Sequence, residues 1–361
     1  MIQPGDGRAA TRVAQPEPPP VRPPVPAVVL SALALIGSLA ALFQVDIPLL
    51  WFLRSHDLSA LQAFGDAGEK LGNGGTLITV SLLVLGTGLY LKRGSLTRMG
   101  RDSLLAHGVV ALLVNGLKHV IGRPRPRLTH SGEWHLWPSL DSGLDSFPSG
   151  HTSASMAVVT VLGRALPRLR WVPFAMIAWV GASRIWRGSH FPSDVVAGMV
   201  TGFVVGSIFN RPLRWWGRSW AQACVRIAPM TVLITGLFWV LTHRIADSLT
   251  DGILLASGTA LVAGGLVLRL TQHRHSSIGP DLPRGEVSES LLGLGLGLVT
   301  NAPVVIGLAG LICLARWSGV SVHAMQSPAT PPSWLNGSLY VVGAIAAVAA
   351  IQALKGLVPL Q

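Results

Sequence analysis

The chain has 361 residues, half of them hydrophobic and only 12% charged, with a mean hydropathy of +0.51. Several apolar runs reach about 18 residues, enough to cross roughly 30 Å of hydrocarbon, and this excludes a soluble fold of two or three ordinary domains. A net charge of +12 suggests nucleic acid in a soluble chain, but here the basic residues gather in short loops between apolar runs, where membrane topology accounts for them, so no nucleic-acid partner is expected.

The first 26 residues hold eight prolines and no apolar run. They read as a disordered cytoplasmic tail, too polar and too proline-rich for a signal peptide. Ten candidate spans follow, near 27–44, 75–92, 103–121, 152–166, 171–187, 193–210, 228–242, 251–270, 290–315 and 337–358. The fourth ends in Arg164, which can snorkel, and Pro303 is expected to kink the ninth. Cys224 and Cys313 fall in apolar surroundings and read as small core residues.

Arginines set the orientation. Arg8, Arg12 and Arg22 precede the first span, Arg93, Arg98 and Arg101 follow the second, Arg168 and Arg170 follow the fourth, and Arg211, Arg214, Arg218 and Arg226 follow the sixth. These alternate loops read as cytoplasmic, which places the N-terminus inside and the loops at 122–151 and 188–192 outside. The first of those outer loops nevertheless carries Arg123, Arg125 and Arg127. Positive charge on the wrong side suggests a site for an anion.

Three polar clusters border this outer face: "KHVIGRPRP" at 118–126, "PSGH" at 148–151, and "SRIWRGSHFPSD" at 183–194. Lys118, Arg125 and Arg184 have the charge and forked donors to clamp phosphate oxygens. Ser149 and Gly150 stand at the start of a helix, where backbone N–H groups favour phosphate. Asp194 follows His190 by four residues, close enough on a helical turn to hold one imidazole nitrogen as N–H and aim the other at phosphorus. His151 is then available to protonate a leaving oxygen.

These clusters resemble the type 2 phosphatidic acid phosphatase (PAP2) superfamily signature K-x6-RP, PSGH and SR-x5-H-x3-D. The matches are Lys118, Arg125 and Pro126; Pro148 to His151; and Ser183, Arg184, His190 and Asp194. The resemblance implies a lipid phosphatase of the bacterial inner (plasma) membrane, working through a phosphohistidine with no metal or cofactor and an active site on the periplasmic face. It makes His190 the nucleophile, Asp194 its orienting group and His151 the general acid. Lys118, Arg125, Ser149, Gly150 and Arg184 become the phosphoryl-binding residues. The resemblance implies a six-helix core over 27–210. It does not cover 211–361, where the apolar runs add about four spans in a C-terminal extension of unassigned role, so the expected fold is an all-α polytopic membrane protein. Undecaprenyl pyrophosphate is the first choice of substrate, with phosphatidic acid, phosphatidylglycerol phosphate and lipid A phosphate open.

A lipid phosphotransferase using the same phosphohistidine is the alternative, and a non-catalytic transporter or scaffold is the third reading. Several residues stay outside the signature. Arg187 either touches the lipid head group or anchors a helix. Trp134 and Trp137 either line a lipid access path or anchor the interface. Arg123 and Arg127 raise the local potential without direct contact. "HRH" at 273–275 reads as a basic loop, and "GLGLG" at 293–297 as close helix packing.

Overall fold

Backbone polar groups in hydrocarbon must pair within their own segment, so runs this apolar fold as helices. The computed structural model describes residues 22–55, 62–129, 137–163, 171–209, 211–243, 249–271 and 284–323. Among the described residues there are eleven α-helices and no strand: α1 (Val25–Arg54), α2 (Gln62–Gly72), α3 (Gly74–Tyr90), α4 (Gly94–Ile121), α5 (Gly150–Leu162), α6 (Trp171–Trp186), α7 (Pro192–Phe209), α8 (Trp216–Thr242), α9 (Leu249–Thr271), α10 (Arg284–Val299) and α11 (Pro303–His323). The all-α polytopic expectation holds. The tenth expected span, at 337–358, lies outside the described residues, as do Arg164, "HRH" and Trp134.

Helix lengths differ from the apolar runs in instructive places. Among the described residues four helical segments, Val25–Arg54, Gly94–Leu128, Pro192–Phe209 and Leu213–Thr242, are long and apolar enough to cross a membrane; α2 and α3, bent by 50° at their junction, meet the same length and composition only when taken together. The segment read as a plain connection, 45–74, therefore contains the last turns of α1 and all of α2. The α5 helix has 13 residues, about 20 Å of length at 1.5 Å per residue. It reads as apolar on every side because it is walled in: every residue from Thr152 to Val158 is buried. The ninth expected span is two helices. The chain breaks at 300–302, Asn301 takes a left-handed conformation (φ 51°), and Pro303 opens α11, where a missing N–H costs nothing.

Small residues position α5. Gly198, Gly202 and Gly206 recur every fourth residue along α7 and face it. A Cβ at Gly198 would stand 2.7 Å from the Ser149 carbonyl oxygen, and one at Gly206 would stand 2.6 Å from that of Ala157. Backbone therefore lies against backbone along this contact, a common solution where no water drives association. Leu77, Val110, Val114, Ala157, Val158 and Val161 fill the space between α3, α4 and α5. Met156, Ile177, Met199 and Ile227 join α5, α6, α7 and α8.

The C-terminal helices are built onto this bundle. Ala34 of α1 packs with Val232 of α8 and Leu308 of α11, while α9 and α10 meet through Val262 and Leu292. Cys224 and Cys313 are buried free thiols. The C-terminus of α1, the C-terminus of α4 and the N-termini of α5 and α7 gather at one end of the bundle. There Arg54 donates to the carbonyl oxygens of Pro126 (2.8 Å) and Thr129 (2.9 Å), tying α1 to the loop after α4.

Candidate active site

The three polar clusters meet at that end. α4 presents Lys118 from its last turn and then stops at Gly122, whose φ of 61° closes the helix in the left-handed conformation. A side chain there would also strike the Trp137 carbonyl, so glycine suits the position twice over. The chain then turns back across the bundle end, with Arg125 N–H donating to Gly143 O (3.0 Å), Arg127 N–H to Gly188 O (3.0 Å) and Ser146 N–H to Arg123 O (2.9 Å). These bonds lace the first cluster to the segment preceding the second and to the loop of the third.

His190 sits in the loop between α6 and α7, buried, with its backbone N–H on the Arg184 carbonyl (3.2 Å). Its Nδ1 lies 2.7 Å from the carbonyl oxygen of Ser146. A carbonyl only accepts, so Nδ1 carries the proton and Nε2 keeps the lone pair. Asp194 was expected to make this bond; its Oδ2 stands 3.7 Å from Nδ1 instead. That oxygen accepts from Ser146 Oγ (2.5 Å) and from the Phe191 N–H (2.8 Å), so Asp194 grips the residues on either side of the imidazole. Burial pushes the His190 pKa down, against the opposing pull of Asp194.

The cations converge on the same space. The charges of Lys118 and Arg184 act on both His190 and His151. Gly150 lies beside Lys118, whose Nζ would be 3.9 Å from a Cβ placed there. Ser149 is the N-cap of α5 and fully buried, but its hydroxyl pairs with Thr152 Oγ1 (2.9 Å) and its N–H with the Asp194 carbonyl (2.9 Å). An anion at this helix end therefore meets the first-turn N–H groups that follow, which have no acceptor within the helix. His151 Nε2 is buried without a hydrogen-bond partner among the described residues.

Carboxylates outside the signature hold these cations. Asp145 accepts from Arg125 Nε (2.7 Å) and Nη2 (2.5 Å) and lies 3.6 Å from Lys118 Nζ. The Arg125 hydrogen bonds, followed by the Lys118 charge, hold the Asp145 carboxyl well below the usual carboxylate range. Glu69 of α2 pairs with Arg184 (3.0 Å) and with Arg187 (2.8 Å), and Arg187 also pairs with Asp66.

Arg123 corrects the sequence reading most sharply. It was expected to act at a distance. It is only 3% exposed, and it donates to Asp194, to Asp46 Oδ2 (2.7 Å) and to Ser193 Oγ (2.7 Å). Ser193 in turn donates its N–H (3.0 Å) and Oγ (2.5 Å) to Asp46. Phe191 lies against the guanidinium at 4.2 Å and Phe43 at 5.2 Å. The available signal was Asp46, a lone carboxylate in "FQVDIPLLWF" that needs a cation if it is to stay in an apolar segment. Trp137 is 78% exposed.

The fold and site define a polytopic helical membrane protein with a cluster of lysine, arginine and histidine side chains at one end of its bundle. Residues 101–218 match the model of the PAP2 superfamily, and the chain carries a PAP2 superfamily domain there. It is similar to the lipid A 1-phosphatase of Rhizobium johnstonii, 41% identical over 25% of this chain and 38% of that protein. It is also similar to the undecaprenyl-diphosphatase BcrC of Bacillus subtilis, 30% identical over 29% of this chain and 53% of the relative. A third relative is the decaprenylphosphoryl-5-phosphoribose phosphatase of Mycobacterium tuberculosis, 32% identical over 31% and 57%. The matched segments thus span between about two fifths and three fifths of the length of these relatives. No solved structure matches it.

Proposed function

We propose that this protein is an integral-membrane lipid phosphatase acting through a phosphohistidine on His190. The observation that carries the reading is the fixed tautomer of His190: Nδ1–H is committed to the Ser146 carbonyl, so Nε2 is the nucleophile, in a pocket with Lys118, Arg184 and His151. Nε2 attacks phosphorus as the bond to the leaving oxygen breaks. The negative charge of the bound phosphate offsets the burial and the Arg184 charge that hold the pKa of the free His151 imidazole down to about 4. His151 therefore enters the step protonated, gives that proton to the leaving oxygen, then takes one from the water that hydrolyses the phosphohistidine and regenerates free His190. Lys118, Arg125, Arg184 and the α5 N-terminus stabilise the five-coordinate transition state. Asp194 keeps Ser146 and Phe191 in place around the ring.

The bundle-end location suits a lipid, whose phosphate reaches the site while its tails stay in the bilayer. The arginine pattern of the loops supports a periplasmic location for that end. The similarity to three phosphatases of lipid A, undecaprenyl diphosphate and a decaprenyl-linked sugar phosphate supports the lipid class and leaves undecaprenyl pyrophosphate, phosphatidic acid and phosphatidylglycerol phosphate as candidates. The test is a phosphate-release panel on purified protein with these lipids, with and without chelator and vanadate. We expect chelator-resistant, vanadate-sensitive release that His190→Ala abolishes. Full activity in that variant refutes the mechanism.

A further inference from the structure

Arg187 and its neighbours on α2 are not used by the chemistry above. They line a cavity of about 430 Å³ formed by Asp66, Glu69, Lys70, Asn73, Thr76 and Arg187, at the bend between α2 and α3. Glu69 is its wall toward the phosphate pocket: one carboxylate oxygen is on Arg184, the other on Arg187. The Glu69 charge also acts on the His151 imidazole. In-line attack by His190 drives the leaving oxygen away from the nucleophile and toward the general acid. Through Glu69 the cavity adjoins Arg184 of the phosphate site, which puts it within reach of the part of the substrate bonded to the leaving oxygen.

Its lining selects by charge. Two carboxylates face two cations, and Arg187 is already engaged by Asp66 and Glu69, so the cavity offers little attraction to a second anion. Its remaining capacity is for hydroxyls. The Asn73 side-chain Oδ1 accepts from the Gly75 N–H and caps α3, which leaves the amide NH2 as a donor. The Thr76 hydroxyl gives its proton to the Lys70 carbonyl and keeps acceptor lone pairs. Carboxylates and a primary amide complement groups that both donate and accept.

Resting on the phosphatase reading, we propose that this cavity is a head-group subsite that takes an uncharged, hydroxyl-rich leaving group, a sugar or polyol carrying the phosphate. The test compares wild type, Asp66→Asn and Thr76→Val on p-nitrophenyl phosphate, a prenyl monophosphate, a prenyl diphosphate and a synthetic lipid-anchored sugar phosphate, with His190→Ala as the blank. The expected result is a loss of about tenfold or more in kcat/KM for the sugar lipid, the usual size of a lost polar contact in a built site. The other three substrates should stay within about twofold of wild type. Equal losses on all substrates, or no loss on the sugar lipid, overturn the subsite. A larger response from the diphosphate shows that a second phosphate occupies it and also overturns the proposal. Wild type that releases phosphate from none of the four overturns the phosphatase reading, and the subsite with it.

Discussion

Replacing Arg123 by methionine leaves Asp46 and Asp194 facing each other across Ser193, with both carboxylates fully buried. Removing one partner from a buried ion pair costs about 3–5 kcal/mol, because the remaining charge is stranded; here two charges are stranded, so the upper half of that range applies. At roughly 2–4 °C per kcal/mol for a chain of a few hundred residues, the melting point should drop by on the order of 10 °C. Asp46→Asn should cost far less, because Arg123 keeps Asp194. In the double variant only Asp194 is left unmatched, so the two effects should fall short of additivity by at least about 1 kcal/mol. Thermal unfolding in detergent reads the stability. Phosphate release reads the site, where we expect kcat of Arg123→Met to fall about a hundredfold as Asp194 loosens its hold on Ser146 and Phe191. An Arg123→Met protein with wild-type melting point and kcat, or strict additivity in the cycle, refutes the claim that this arginine organises the catalytic loop.

Asp145→Asn removes an anion from beside Lys118 and Arg125, so inorganic phosphate and vanadate should inhibit this variant about tenfold more tightly; weaker or unchanged inhibition contradicts the pairing. Because burial lowers the His190 pKa from 6.5, the attacking neutral ring persists as pH falls below 6.5. The acid limb of kcat/KM, corrected for substrate ionisation, should therefore have its midpoint below that value. Gly202→Val places side-chain atoms against Ser153 and Met156; overpacking of about 1–3 kcal/mol should lower the melting point and displace the α5 N-terminus, with activity falling in parallel. Ending the chain at residue 210 uncovers Ala34 and Met199, which pack against α8 and α11, and should sharply reduce the yield of folded protein in membrane fractions.

What the sequence disclosed follows from the range of each interaction. Long apolar runs forced helices, and Lys118, His151, Arg184 and His190 could be picked out because fixed local spacings carry them. The contacts that assemble the site act across the fold. Asp46 reaches Arg123 from 77 positions away, and Glu69 reaches Arg184 from a helix that read as a connection. No periodicity links such pairs. The helix break near Asn301 was hidden for another reason, since apolar residues on both sides of a turn look like one span until a left-handed residue is seen. Asp194 shows a third limit: the spacing from His190 was read correctly, but the carbonyl of Ser146, available at every residue type, took the imidazole proton.

The Arg123 network also bears on how such a chain can change over generations. Its arginine lies within the matched domain, residues 101–218, while Asp46 belongs to α1, well before it. A domain of this kind transplanted without its first helix carries an arginine with one of its two buried carboxylates missing. Neither position can drift alone without passing through a state with unmatched charge in a dry interior. Positions 46 and 123 should therefore vary as a pair across descendants of this chain, with the first helix and the loop that carries Arg123 retained together.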